Sequence, residues 1–203
     1  MRKLALGLLV LSLVAMPALG GPGKFNKKVA AGDKAPEFSG LPAVENGEDT
    51  SVSLTDIKEP VVVLVFLGNH CPVVKAYEDR LIEFTTAYKD KGVKVVGVSV
   101  NNLDSDRIPG IKDYMKEHKS NYIYGYDESQ KIGHAYGATN TPQFFVLDKE
   151  RKIRYLGAMD DNQREDKVTK TYLKDAVEAL LKGETPAVEE TRPQGCGVVY
   201  KKS

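Results

Sequence analysis

The chain has no tryptophan, only three histidines and only two cysteines. Two cysteines are too few for a fold held together by many disulfides, and 203 residues can build a core without them. No charge of one sign dominates: 29 basic and 28 acidic residues give a formal net charge of +1. That balance, with no basic run interleaved with aromatics, excludes an obvious nucleic-acid surface. No apolar run reaches the ~20 residues that a membrane-crossing helix needs. There is no internal repeat and no low-complexity stretch. His118 and His134 stand at no recognisable metal-ligand spacing, and the spaced ligand pattern of a calcium loop is absent around Asp160-Asp161-Asn162.

The apolar fraction is 41% and the charged fraction 28%, the balance of a folded globular protein. At the amino end, Arg2 and Lys3 precede the short apolar run Leu4–Met16, then Pro17 and the small residues Ala18 and Gly20. This is the pattern of an export signal over residues 1–20, with no cysteine after it to carry a lipid. The expected location is therefore periplasmic or extracellular, where disulfides persist. Two cysteines in such a protein form either one structural bridge or a redox pair.

Residues 21–35 are rich in Gly, Lys and Ala and are expected to form an amino-terminal arm. The domain proper is expected over 36–183, and a tail carrying Cys196 over 184–203. Gly47-Glu48-Asp49 is turn chemistry, and Ser51–Leu54 alternates as a short strand. Val61–Leu67 is a continuous run of β-branched and large apolar residues, as in a strand buried on both faces. After Gly68-Asn69-His70-Cys71, Pro72 occupies a first helical position. Val74, Tyr77, Leu81, Phe84 and Tyr88 then recur at helical spacing, and Gly92 ends the helix.

Val93–Val100 reads as a second buried strand. Helices are expected over Pro109–Lys119, Glu128–Tyr136 and Lys167–Lys182. Further strands are expected at Tyr122–Tyr124, Phe144–Leu147 and Ile153–Leu156, the last two forming a hairpin. This order predicts an α/β sandwich with a mixed sheet. Cys71 then falls between the carboxyl end of a central strand and the start of a helix. Unpaired N–H groups and the positive end of the helix dipole favour a thiolate there.

Val61–Leu67 followed by Cys71-Pro72-Val73-Val74 resembles the redox segment of the thioredoxin superfamily. Thr141-Pro142-Gln143-Phe144 resembles that superfamily's second signature, a cis-proline opening a strand. Gly32-Asp33-Lys34-Ala35-Pro36-Glu37-Phe38 is similar to the opening segment of its redoxin branch, which holds peroxiredoxins and exported thiol–disulfide reductases. Asn69–Glu78 with Gly195-Cys196 resembles the peroxiredoxin-like (AhpC/TSA-type) proteins of that branch.

The resemblance covers residues 30–182 and implies a thioredoxin-like three-layer α/β/α sandwich with a mixed central sheet. It implies Cys71 as nucleophile and Thr141 and Pro142 as the wall beside it. His70, directly before Cys71, is expected either to stabilise the thiolate or shuttle a proton, or to face solvent as a loop histidine, and with Asn69 it is taken as a substrate-side neighbour. Two departures matter. Val74 stands where thioredoxins have their second cysteine. Gly68 stands where peroxiredoxins have a peroxide-activating hydroxyl.

The remaining thiol is Cys196, in a Gly-flanked tail expected to be mobile. It either resolves an intermediate on Cys71, clips the tail permanently, or never meets Cys71. The expected function is a thiol-dependent, antioxidant-type oxidoreductase acting on a disulfide or a peroxide without a cofactor. Its partners would be a thiol or disulfide protein, or a peroxide, and an external thiol reductant. The alternatives are a non-catalytic binding module, or a copper-handling protein using His70, Cys71 and Cys196.

Overall fold

The computed structural model of the protein describes residues 22–201. The expected export signal lies outside the described residues. Among the described residues no helix is long and apolar enough to cross a membrane.

The strands are β1 (Leu41–Glu45), β2 (Glu48–Val52), β3 (Val61–Leu67), β4 (Val93–Ser99), β5 (Ile123–Tyr126), β6 (Asn140–Thr141), β7 (Gln143–Leu147), β8 (Ile153–Gly157) and β9 (Cys196–Gly197). The helices are α1 (Pro72–Tyr88), α2 (Ile108–His118), α3 (Lys131–Tyr136) and α4 (Tyr172–Leu181). Seven strands form one sheet in the order β2-β1-β5-β4-β3-β7-β8. β3 pairs in parallel with β4 and antiparallel with β7, so the sheet is mixed.

Every residue of β3 is buried because both faces of the sheet are covered. Val61, Val63, Val65 and Leu67 meet α1, α2 and α4 on one side. Val62, Leu64 and Phe66 meet α3, the turn at Leu54 and the amino-terminal segment on the other. The alternation of side chains along a strand sends these two sets to opposite layers. The result is a three-layer sandwich.

Several boundaries differ from the sequence reading for local reasons. β1 and β2 form a hairpin around Asn46 and Gly47, both at positive φ, which is the backbone such a tight turn needs. β2 is almost wholly exposed, so its sequence EDTSV carries no apolar signal. α3 begins only at Lys131, because the Asp127 carboxylate accepts the N–H groups of Ile132 (2.7 Å) and Gly133 (3.1 Å). α4 begins at Tyr172 because Asp161 holds the preceding turn, accepting the N–H groups of Thr169 and Lys170. Asp160, in the same turn, pairs with Arg80 and accepts the Tyr77 hydroxyl at 2.9 Å.

The two ends of the described segment are strapped to the body rather than loose. The Glu190 carboxylate accepts the N–H groups of Lys24, Phe25 and Asn26 at 2.6–2.8 Å. Val29 and Ala35, in the expected arm, are buried. Tyr200 stacks on His134 at 4.0 Å between ring centroids, and its hydroxyl donates to the Ala138 carbonyl at 2.7 Å. Gln130 brackets the segment, donating to the Val199 carbonyl and accepting the Lys201 N–H.

Under α1 lies a buried carboxylate. Glu78 is 1% exposed and accepts hydrogen bonds from Ser120 (2.5 Å), Tyr122 (2.9 Å) and Tyr114 (3.2 Å). Burial raises its pKa above the usual carboxylate range, outweighing those hydroxyls and the charge of His118. The folded state therefore holds this proton more tightly than the unfolded chain. The stability gained from that proton is complete below the ordinary glutamate value and is lost as pH rises through the folded value. We expect urea midpoints to fall over that window, and Glu78→Gln to flatten the slope. An unchanged slope in the variant would contradict this.

Candidate functional site

Cys71 is the residue that caps the start of α1, and Pro72 is the first residue of the helix. Its N–H donates to the Gly68 carbonyl at 2.9 Å, which closes the tight turn out of β3. Its carbonyl accepts the Lys75 N–H at 3.2 Å, the first bond of the helix. The sulfur thus stands at the positive end of a 17-residue helix. Lys75 itself is exposed and points its charge to solvent.

The Thr141–Pro142 peptide is cis, and β6 ends beside the sulfur. The Thr141 carbonyl oxygen lies 3.2 Å from Cys71 Sγ. Thr141 is fully buried, and its hydroxyl has no hydrogen-bond partner among the described residues.

Cys196 is bonded to Cys71 across 125 residues, with the two Cα atoms 6.0 Å apart. This excludes the possibility that the sulfurs never meet. The tail reaches the site as strand β9, which pairs antiparallel with β6: Thr141 faces Cys196 and Asn140 faces Gly197. The expected mobile tail is, in this oxidised state, an ordered strap. Its order has a plain cause, because β6 offers an otherwise open edge and the bridge fixes the register. Cys71 is wholly covered in this state, whereas Cys196 is half-buried.

Asn69 turns inward instead of facing a substrate. Its side chain donates to the Ser105 carbonyl at 2.6 Å and accepts the Tyr124 hydroxyl at 3.0 Å, and it is 4% exposed. A buried amide on a tight loop satisfies its polar atoms within the fold, so its place here is to tie the Cys71 loop to its neighbour. His70 is exposed, but its side chain is only 28% so, with Nδ1 2.6 Å from the carboxylate of Asp106. Against a carboxylate acceptor, Nδ1–H is the donor of this bond.

Asp106 was not among the residues singled out from the sequence. It is fully buried, and its other oxygen accepts the N–H groups of Asn69 (2.6 Å) and His70 (3.3 Å). One carboxylate therefore fixes the whole approach to Cys71. Asp106→Ala would leave those groups without an acceptor, and we expect it to cost about 1–3 kcal/mol in urea unfolding.

Among the described residues no group of three or more His, Cys, Asp and Glu is placed to hold a metal ion. The set considered for copper is not convergent here: the two sulfurs are bonded to each other and His70 is committed to Asp106.

The Redoxin family model matches residues 30–173. The chain belongs to the Redoxin family. Among curated proteins, this redoxin is 27% identical over 127 residues to the thiol-disulfide oxidoreductase ResA of Bacillus anthracis, covering 63% of this chain and 69% of that one. Its fold superimposes on an uncharacterized conserved protein from Geobacillus kaustophilus with a TM-score of 0.79 and 30% identity, covering 88% of this chain and 95% of that one. It also superimposes on the thioredoxin domain of a thiol-disulfide oxidoreductase from Bacteroides vulgatus, with a TM-score of 0.52 and 27% identity over 62% of this chain and 86% of that one. The redoxin thus has a thioredoxin-type fold, with Cys71 at a strand-to-helix junction facing a cis-proline strand.

Proposed function

We propose that the protein is an exported thiol–disulfide oxidoreductase that cycles between a Cys71/Cys196 dithiol and the disulfide joining them. The observation that carries this reading is the bridge itself. It joins a sulfur at a helix start to a sulfur on a terminal strand that can leave without unmaking the main sheet.

In the reduced form, the Cys71 thiolate is favoured by the helix dipole and by the free N–H groups of the first turn. It attacks one sulfur of a substrate disulfide. A bond forms between Cys71 Sγ and that sulfur, and the substrate's other sulfur leaves as a thiolate. The Cys196 thiolate then attacks Cys71 Sγ, the intramolecular disulfide forms, and the second substrate thiolate departs. The substrate disulfide is reduced and the protein dithiol oxidised. An external thiol reductant returns the protein to the dithiol.

The absence of a Cys at position 74 is thereby answered: the tail brings the second sulfur that the helix does not supply. For peroxide as substrate, no hydroxyl stands at Gly68, and no further observation favours that reading. Export rests on the pattern of residues 1–20 and agrees with a disulfide substrate, since disulfides persist in an oxidising compartment.

The test is redox equilibration. The protein is incubated in glutathione buffers of graded thiol-to-disulfide ratio, quenched in acid, alkylated and weighed. The reading expects one two-electron transition between dithiol and disulfide. A bridge that stays closed at every poise at which the protein remains folded would make it a static clip and overturn the cycle.

A further inference from the structure

We infer that the edge of β6 selects thiols whose cysteine carries an unbranched carbon on its amino side. The ligand class is a glycyl-cysteine segment of a polypeptide or a γ-glutamyl-cysteine thiol. This deepens the proposed function and rests on Cys71 acting as the nucleophile. A ligand sulfur joined to Cys71 must stand where the sulfur of Cys196 stands now. The tail is therefore a template for the ligand that replaces it.

The template is asymmetric about its cysteine. On the amino side, Gly195 lies against β6. A Cβ built at this residue would sit 2.1 Å from the Thr141 carbonyl oxygen, 2.7 Å from its carbon and 3.2 Å from the Pro142 ring. The obstacle is backbone, belonging to the same strand that flanks Cys71, so it does not swing aside as a side-chain tip would. Gly195 also has φ +146°, a conformation that side-chain-bearing residues avoid. Its carbonyl accepts a bond from the Asn140 side chain at 3.1 Å, which holds it in this contact.

On the carboxyl side the position is open. A Cβ at Gly197 would meet nothing within 4 Å, and the residue is exposed. The tail pairing continues past it, with the Val198 N–H donating to the Thr139 carbonyl at 2.9 Å. The groove thus discriminates at one neighbour of the cysteine and tolerates the other. A γ-glutamyl group meets the same condition as glycine, because the carbon attached to its linking carbonyl is a CH₂ with no side branch.

The experiment uses the reduced protein and its Cys196→Ser variant. The probes are mixed disulfides of nitrothiobenzoate with four thiols: acetyl-Gly-Cys-Gly-amide, acetyl-Ala-Cys-Gly-amide, acetyl-Gly-Cys-Ala-amide and glutathione. Cys71 attacks the peptide sulfur, the bond to nitrothiobenzoate breaks, and the coloured thiolate leaves with the electron pair. Rates are divided by those of free mercaptoethanol with the same probe.

The inference expects the Ala-Cys-Gly probe to react at least about tenfold slower than Gly-Cys-Gly, with Gly-Cys-Ala unimpaired. A fast glutathione probe places small γ-glutamyl thiols within the ligand class. A slow one, with Gly-Cys-Gly fast, confines the class to polypeptide segments. Equal rates for the Gly-Cys and Ala-Cys probes overturn the selectivity and leave Cys71 as nucleophile. If no peptide probe reacts while Cys71 still reacts with Ellman's reagent, external ligands do not take the tail's place and the inference fails. Failure of Ellman's reagent as well would sink the underlying reading of Cys71.

Discussion

Cys71→Ser is expected to reduce disulfide exchange by roughly three orders of magnitude or more, the scale of losing a covalent nucleophile. A serine hydroxyl at this place stays protonated and attacks a disulfide poorly, whereas the thiolate is the reactive form of cysteine. The comparison that isolates this effect is with Cys196→Ser. Both variants lose the same bridge, so both lose its contribution to the fold. Only one loses the sulfur at the start of α1. Cys196→Ser should keep the first attack and accumulate a mixed disulfide that waits for an external thiol. Single-turnover rates with a chromogenic disulfide measure the difference. Equal loss in the two variants would remove the distinction between nucleophile and resolving residue.

The second large effect is on stability. The bridge closes a loop across 125 residues. Loop-closure entropy at that length corresponds to about 4–5 kcal/mol. Reduction should therefore lower the melting temperature by roughly 8–20 °C for a chain of this size. The double variant Cys71→Ser with Cys196→Ser should melt close to the reduced protein. Hydrogen exchange should accelerate first in residues 191–201, where non-covalent contacts such as Tyr200 on His134, Val198 on Thr139 and Gln130 on Val199 remain to hold the strap. If reduction leaves the melting temperature and tail exchange unchanged, the tail is anchored independently of the bridge, and the strap does not release in the cycle.

What could be read from the chain alone follows from how strongly each residue is tied to its local pattern. β3 is visible because seven consecutive apolar residues, mostly β-branched, fit only a strand buried on both faces. α1 is visible because Pro72 marks its start and its apolar residues recur at helical spacing. Together they place Cys71 at a strand end and helix start, without any long-range information. The β1–β2 hairpin escaped because its outer strand is polar and exposed, although Asn46-Gly47 was the turn signal that betrays it.

Asp106 escaped for a different reason. In sequence it looks like one more acidic residue beside Asp104, in a loop that resembles a solvated turn. Its meaning comes from the parallel pairing of β3 and β4, which brings the loops at their carboxyl ends together and lets one carboxylate cap the other loop's N–H groups. The inward turn of Asn69 is the other half of that contact. The docking of Cys196 onto β6 is legible only in outline. The sequence supplies a second thiol and flanking glycines, but the antiparallel register against Thr141 is a property of two segments 55 residues apart.

The most direct test of the account is to trap the covalent intermediate. Cys196→Ser, freshly reduced, is mixed with a small disulfide, quenched in acid, weighed intact and then peptide-mapped. The account predicts a single adduct, on Cys71, formed before any product is released by added thiol. A protein that takes up no adduct while folded, with Cys71 still a free thiol, would contradict it.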